Sequence, residues 1–247
     1  MISKITRYCI LPLLVGMLVS LPCQGEENKI NRAELVWSQW DGLRHEIYTS
    51  SLQNGEWTVC IKLTDNNANN LHPVLDTGPD GTKWAFWTVV RPDGISVEYA
   101  YCKDDEWSEP QKLPIEQNSA ITPSVLIDPA GRVWLVWAGN EGGNDDIYYT
   151  RYQGTSWKKP KVLHTANEVP DIQPDIAYND ERKIEVSWLG FRDGVYKKLA
   201  AVYTEGSKGW SPEQEKAESE NEDSTENDEL LLPSCMPADS QYFLKIY

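Results

Sequence analysis

The sequence predicts an all-β protein built from one unit used several times, and three observations carry this. Residues 123–137, PSVLIDPAGRVWLVW, read as two short strands around the turn Asp128-Pro129-Ala130-Gly131, where Pro presets φ and Gly tolerates φ > 0. The same unit returns as HPVLDTGPDGTKWAFW and QPDIAYNDERKIEVSW, and the pairs Pro73/Trp87, Pro123/Trp137 and Pro174/Trp188 are each 14 residues apart. The tryptophans recur in two series, Trp37, Trp87, Trp137, Trp188 and Trp57, Trp107, Trp157, Trp210, with steps of 50 to 53 residues.

Each element of the unit has its own residue logic. The first strand is short, apolar and β-branched (124–127), and the second is aromatic and aliphatic (132–137). A third, aromatic strand follows in HEIYTSSL (45–52), ISVEYAYC (95–102), DIYYTRYQ (146–153) and KKLAAVYT (197–204). A tryptophan then opens a fourth segment: WTVCIKL, WSEPQKL, WKKPKVL and WSPEQEK. A four-strand unit of about 50 residues is the signature of a β-propeller blade. One blade cannot bury both faces of its sheet, so blades stack around an axis and large rings fill the space between them. Of the 11 tryptophans only Trp40 stands outside the register. The chain enters on a second strand (33–37), and 233–247 reads as a degraded copy of the two-strand unit. The expected fold is a β-propeller of four four-stranded blades, with five as the alternative count. Its ring would be closed by pairing of the N- and C-terminal segments.

Residues 1–25 carry Lys4, Arg7, a short apolar run interrupted by Pro12, and Gly25, the pattern of a secretory signal peptide cleaved near Gly25. Cys23 follows Pro22, a poor context for lipid attachment. The expected mature chain, 26–247, is a single exported domain, periplasmic or extracellular, with an acidic inter-blade loop at 213–229. Without Lys4 and Arg7 its charge is 21 − 38 = −17, which argues against nucleic acid and anionic membranes as partners. Cys60, Cys102 and Cys235 are an odd set without metal spacing and read as packed strand residues. No cofactor or metal is implied.

The turn Thr150-Arg-Tyr-Gln-Gly-Thr-Ser-Trp157 resembles the Asp-box, S-x-D-x-G-x-x-W, of sialidase-like (BNR-type) β-propellers. Thr150, Gly154, Ser156 and Trp157 fit, while Tyr152 stands in the Asp position; the other copies keep little beyond the tryptophan. The resemblance implies the propeller architecture and, as its second function class, a sialidase-like glycoside hydrolase. The hallmarks of that activity are an arginine triad and a Tyr–Glu nucleophile pair. None of the seven arginines from Arg32 onward stands in the family's Arg-Ile-Pro context, and Arg132 and Arg182 fall by the opposite turns. His45, His72 and His164 lie in no nucleophile motif.

The loops joining second to third strands and successive blades open on one face. Four residues after each register tryptophan stand Asp41, Arg91, Glu141 and Arg192, with Trp40, Asn140 and Phe191 just before; His72, Thr122 and Gln173 precede the register prolines. Polar groups around an exposed aromatic suit a glycan or protein ligand. The sequence therefore predicts a non-catalytic binding module, with the hydrolase and a structural or assembly role as alternatives.

Overall fold

A computed structural model of the protein describes residues 30–165, 167–206, 209–216 and 232–247. The predicted leader and the acidic stretch beyond Lys216 lie outside them. The first sheet contains β1 (Arg32–Trp40), β2 (His45–Gln53), β3 (Glu56–Trp57) and β4 (Ile61–Lys62). The second contains β5 (Asn69–Thr77), β6 (Lys83–Arg91), β7 (Gly94–Lys103), β8 (Glu106–Trp107) and β9 (Gln111–Lys112). The third holds β10 (Ser119–Ile127), β11 (Val133–Asn140), β12 (Asp145–Tyr152) and β13 (Lys161–Val162). The fourth holds β14 (Asp171–Tyr178), β15 (Ile184–Arg192), β16 (Val195–Thr204), β17 (Gly209–Trp210) and β18 (Gln214–Glu215). A last strand, β19 (Gln241–Ile246), joins the first sheet. All pairings are antiparallel, and the four sheets of four or five strands form a propeller-like array.

The unit differs from its expected form at both edges. The fourth segment is two short pieces in most copies, because the residue after its tryptophan ties the break to the third strand. Thr58 Oγ1 accepts from Ser51 N at 3.0 Å, Ser108 Oγ from Tyr101 N at 3.1 Å and Ser211 Oγ from Val202 N at 3.1 Å. The first strand is longer than expected, starting upstream of the register proline. His72, Thr122 and Gln173 adopt left-handed φ values of 50°, 48° and 52°. At these bulges the register shifts, which lets the strand carry a proline.

The C-terminal segment completes the first sheet, but with one strand where two were expected. Residues 233–240 instead make two successive turns, with Met236 N donating to Pro233 O at 3.0 Å and Ser240 N to Pro237 O at 3.2 Å. β19 pairs with β1, placing Ile246 opposite Ala33 as Ile127 stands opposite Val133. It thus occupies the inner position that β10 holds in the third sheet. Cys60 and Cys235 form a disulfide across 175 residues of sequence, correcting their reading as packed strand residues. Cys102 is the buried strand thiol.

Why the sheets associate follows from their central strands. On β11, Val133, Leu135 and Trp137 face the second sheet, while Trp134, Val136 and Ala138 face the fourth. β6 divides the same way, with Trp84 and Phe86 toward the third sheet and Ala85, Trp87 and Val89 toward the first. The fourth-segment tryptophans of the second, third and fourth sheets pack into the preceding one: Trp107 joins the cluster of the first and second sheets, Trp157 meets Trp84, Phe86 and Tyr99 by edges, and Trp210 meets Trp134 and Tyr149. Side chains also stitch the inner strands together. Lys245 pairs with Asp76, whose carboxylate accepts from Ile127 N at 2.7 Å; Ser124 Oγ lies 3.0 Å from the Asp175 carboxylate.

Among the described residues, three apolar clusters join consecutive sheets and none joins the fourth to the first. The expected pairing of N- and C-terminal segments is present as β19–β1, within the first sheet. On the fourth sheet Glu185 and Ser187 alternate with the inward Ile184, Val186 and Trp188, and Lys216 bonds Glu185 at 2.6 Å. Glu213–Lys216, the end of the expected fourth segment and the start of the acidic stretch, holds the exposed β18 strand and its anchors.

Two predictions follow from this frame. Cys60→Ser should destabilise the protein by about 2–5 kcal/mol, as loss of a long-loop disulfide does. Urea unfolding with and without reductant checks it: wild type under reductant should match the variant. The second concerns Asp128, which turns the corner into β11. Burial alone would raise its carboxyl, but hydrogen bonds from Trp134 Nε1 at 2.9 Å and Arg132 Nε at 2.6 Å hold it below its usual range. A depressed folded pKa adds stability above the unfolded value and loses it as pH falls through the folded one. Asp128→Asn should lower stability at neutral pH and flatten the decline below about pH 4, read from unfolding midpoints across pH.

Candidate functional site

The loop face carries all ten residues singled out in the sequence, held by local structure in different ways. Asp41 accepts from the Leu43 and Arg44 amides at 2.9 and 3.0 Å, and these bonds hold its carboxyl below the usual range. The hairpin they form presents Trp40, 54% exposed, edge-on to His45 at 5.3 Å. Arg91 pairs with Glu98 at 2.7 Å, and Glu141 accepts from Gln117 at 3.0 Å. Asn140 closes its own turn onto Gly142 N at 2.7 Å, and Phe191 packs on Tyr196. Of the bulge residues, Thr122 gives its amide to Thr88 Oγ1 at 3.2 Å, while His72 and Gln173 are exposed. The four charged positions are each paired or engaged within their own neighbourhood.

Two grooves run between sheets beside these residues. The first, about 870 Å³, lies between the first and second sheets and is lined by Lys62, Asp65, Asn66, Arg91, Glu98 and Trp107 among others. Its mouth touches the Trp40 hairpin: Arg44 bonds the Asn66 carbonyl, and Lys62 Nζ lies 3.8 Å from Asp41 Oδ2. The second, about 550 Å³, is its repeat equivalent between the second and third sheets, with Glu141, Tyr148 and Trp157 standing 50 residues after Arg91, Glu98 and Trp107. Burial pushes the Tyr148 phenol up to about 12.

Between the third and fourth sheets the loop face buries a polar node that sequence reasoning missed. His164 Nδ1 lies 2.9 Å from the Thr165 carbonyl and so carries the ring proton; Nε2 accepts from Ile147 N at 3.2 Å. Nε2 also stands 3.5 Å from Asp171 Oδ2 and 3.8 Å from Asp146 Oδ1. Asp171 is fully buried and accepts from Trp188 Nε1 and Asn167 Nδ2, both at 2.8 Å, and from Arg192 at 3.0 Å. Arg192 continues to Glu213 at 2.9 Å. Gly190 has no room for a side chain, since a Cβ there would lie 2.6 Å from Asp171 Oδ1. Burial, aided by Asp171, Asp145 and Glu141, raises the Asp146 carboxyl although His164 opposes it.

Register shows what this node is. Leu63, Leu113 and Leu163 each donate to the carbonyl of Ile47, Val97 and Ile147 respectively, so Thr64, Pro114 and His164 are equivalent. The first junction holds Glu46, Thr64 and Asn70: Thr64 Oγ1 accepts from Ile47 N at 2.9 Å and donates to Glu46, and Asn70 Nδ2 reaches Glu46 at 3.1 Å. The second junction has Ser96, Pro114 and Ala120; there the Trp137 indole N–H stays buried without a partner, where Asp171 serves Trp188. Aligning 46/96/146, 64/114/164 and 70/120/171 in the sequence would have exposed the polar substitutions.

No protein-family model matches the chain, and no curated protein matches it in sequence. Solved structures do resemble it in fold. A protein of unknown function from Dyadobacter fermentans aligns with a TM-score of 0.57 at 14% identity, over 70% of this chain and 58% of its own. The chain thus spans less than two thirds of that neighbour. The endo-arabinase of Bacteroides thetaiotaomicron aligns with a TM-score of 0.50 at 17% identity, over 74% of this chain and 75% of its own. The NanB sialidase of Streptococcus pneumoniae reaches only 0.46 at 14% identity, over 66% of this chain and 26% of its own. At these identities the likeness concerns the fold alone.

The node predicts unequal losses on truncating the two loop-face arginines. Arg192→Ala removes the cation facing the fully buried Asp171 and should cost about 3 kcal/mol. Arg91→Ala, whose ion pair lies nearer solvent, should cost about 1 kcal/mol or less. Urea unfolding of both variants checks this; equal losses would deny Arg192 its buried role.

Proposed function

We propose that the protein is an exported, non-catalytic carbohydrate-binding module whose ligand lies on the loop face, along the groove that opens at the Trp40 hairpin. The observation that carries this reading is an exposed indole on a hairpin that borders an amphipathic groove: Trp40 stands on the hairpin whose Asp41 and Arg44 reach Lys62 and Asn66, and Lys62, Asn66, Arg91, Glu98 and Trp107 line the groove. Sugar rings offer an apolar face that stacks on aromatics and hydroxyls that satisfy charged and amide groups. The paired state of Arg91 and Glu98 favours binding over hydrolysis, because each is already committed to the other. Asp41, His72, Thr122, Asn140, Glu141, Gln173, Phe191 and Arg192 belong to the same face as its more distant contacts. The endo-arabinase of similar fold makes a polysaccharide the first ligand class to test.

Export is supported by the Cys60–Cys235 disulfide, which fits an oxidising compartment, and no described helix is long and apolar enough to cross a membrane.

The test is a glycan array followed by calorimetry on the best polysaccharide. Trp40→Ala should weaken binding about tenfold or more, the scale of one desolvated aromatic contact, without moving the unfolding midpoint. Unchanged affinity in Trp40→Ala and in a groove variant, Arg91→Ala, would overturn the reading. So would turnover of fluorogenic glycosides that a single carboxylate substitution abolishes.

A further inference from the structure

We infer that Asp146, His164 and Asp171 form a binding site for a divalent transition-type cation, zinc foremost, at the junction of the third and fourth sheets. The three donor atoms lie within 4.8 Å of one another. Around a tetrahedral zinc with bonds of about 2.0–2.1 Å, ligand atoms stand about 3.4 Å apart; the His164 distances here are 3.5 and 3.8 Å. The two His164 distances would need to shorten only by a few tenths of an ångström, while the carboxylate oxygens, within 4.8 Å of each other, would close around the ion.

The protonation pattern is that of a ligand set. His164 commits its Nδ1 proton to a backbone carbonyl, which leaves Nε2 as an acceptor standing beside the two carboxylates. This is the usual outer arrangement of a metal-bound imidazole. Asp146 Oδ1 is buried without any hydrogen-bond partner and points toward that nitrogen. Asp171 is oriented from behind by Trp188, Asn167 and Arg192, which leaves its Oδ2 facing His164. Three potential ligand atoms thus converge with only the Ile147 N–H directed at one of them, and a cation would draw them together. The one bond it would displace is the long contact from Ile147 N to Nε2, at 3.2 Å. Asp146, whose side chain is 17% exposed, marks the way in and the place for a completing water.

The equivalent slots argue that this set is not a by-product of the repeat. In the first junction Thr64 supplies a hydroxyl proton and Asn70 an amide to Glu46 Oε2, and Lys62 Nζ stands 3.8 Å from its Oε1, so that carboxylate already faces a cation of the protein itself. In the second junction Ser96, Pro114 and Ala120 offer no comparable donor set. Only the third junction combines an imidazole with two carboxylates. A cation there would fix the start of β12 to the start of β14 and thereby brace Arg192 on the loop face. This inference is independent of the carbohydrate reading.

The experiment uses the full exported chain without an affinity tag, stripped with chelator and titrated with zinc alone. One equivalent should bind, raise the unfolding midpoint by several degrees and, with cobalt substituted, give the visible absorption of a tetrahedral ion. Asp146→Asn keeps shape at the site's edge and should weaken binding at least tenfold; His164→Gln should do the same. Asp145→Asn, at the half-buried neighbour outside the ligand set, should leave affinity unchanged. Wild type that binds no zinc, or binding that survives both Asp146→Asn and His164→Gln, overturns the site. Should His164→Gln fail to fold, the folded Asp146→Asn variant with wild-type affinity is by itself sufficient to overturn it.

Discussion

The structure rests on the need of two-faced strands to be covered on both sides. β6 and β11 are apolar at nearly every position, so a sheet built on either is insoluble alone and must stand between two others. Everything else is arranged around that need. The register tryptophans fill the gaps, the fourth-segment tryptophans reach back into the preceding sheet, and the polar chain is pushed to edges and loops. The association is chiefly a packing constraint, since strand pairing runs within each sheet and, among the described residues, only side chains bond across. Side-chain bonds such as Asp76 to Ile127 N set the spacing of inner strands after burial has drawn them together.

That constraint also explains which parts were legible in the sequence. Periodicity sees burial, so the tryptophan series, the central strands and the turns between paired strands appear where the residues put them. The outer strands did not follow as cleanly. Their short pieces are held by single hydroxyls on Thr58, Ser108 and Ser211, a signal of one residue per unit. At the C-terminus the count of 14 residues from Pro233 to Tyr247 matched the register by coincidence. There two proline turns consume the length that a first strand would occupy, and only β19 pairs.

The loop-face residues were legible by position and not by partner. Spacing placed Arg91 and Arg192 in equivalent loops, yet one pairs with Glu98 in its own hairpin and the other reaches across to a buried carboxylate. The difference is written at positions 70 and 171, an asparagine in one copy and an aspartate in the other, deep in segments that look like ordinary strand starts. Polar residues at buried repeat positions are costly unless satisfied. Each departure from the apolar version of the slot therefore carries information that overall patterning averages away.

The β19–β1 pairing adds a consequence for folding. The other inner strands pair with the strand that follows them, a local contact. β19 must find β1 after the rest of the described chain, because Ile246 stands opposite Ala33. Non-local pairing is slow to form, since loop-closure entropy is lost before contacts compensate it. Until it forms, β1 has one open edge, and Phe243 and Lys245 are missing from the junction with the second sheet. The Cys60–Cys235 bridge shortens the search once made, because it ties residue 235 to the first sheet only six residues before β19 begins. The bond that closes the longest loop thus guards the strand most easily lost, and the apolar face that depends on it is the one shared with the sheet nearest the candidate carbohydrate groove.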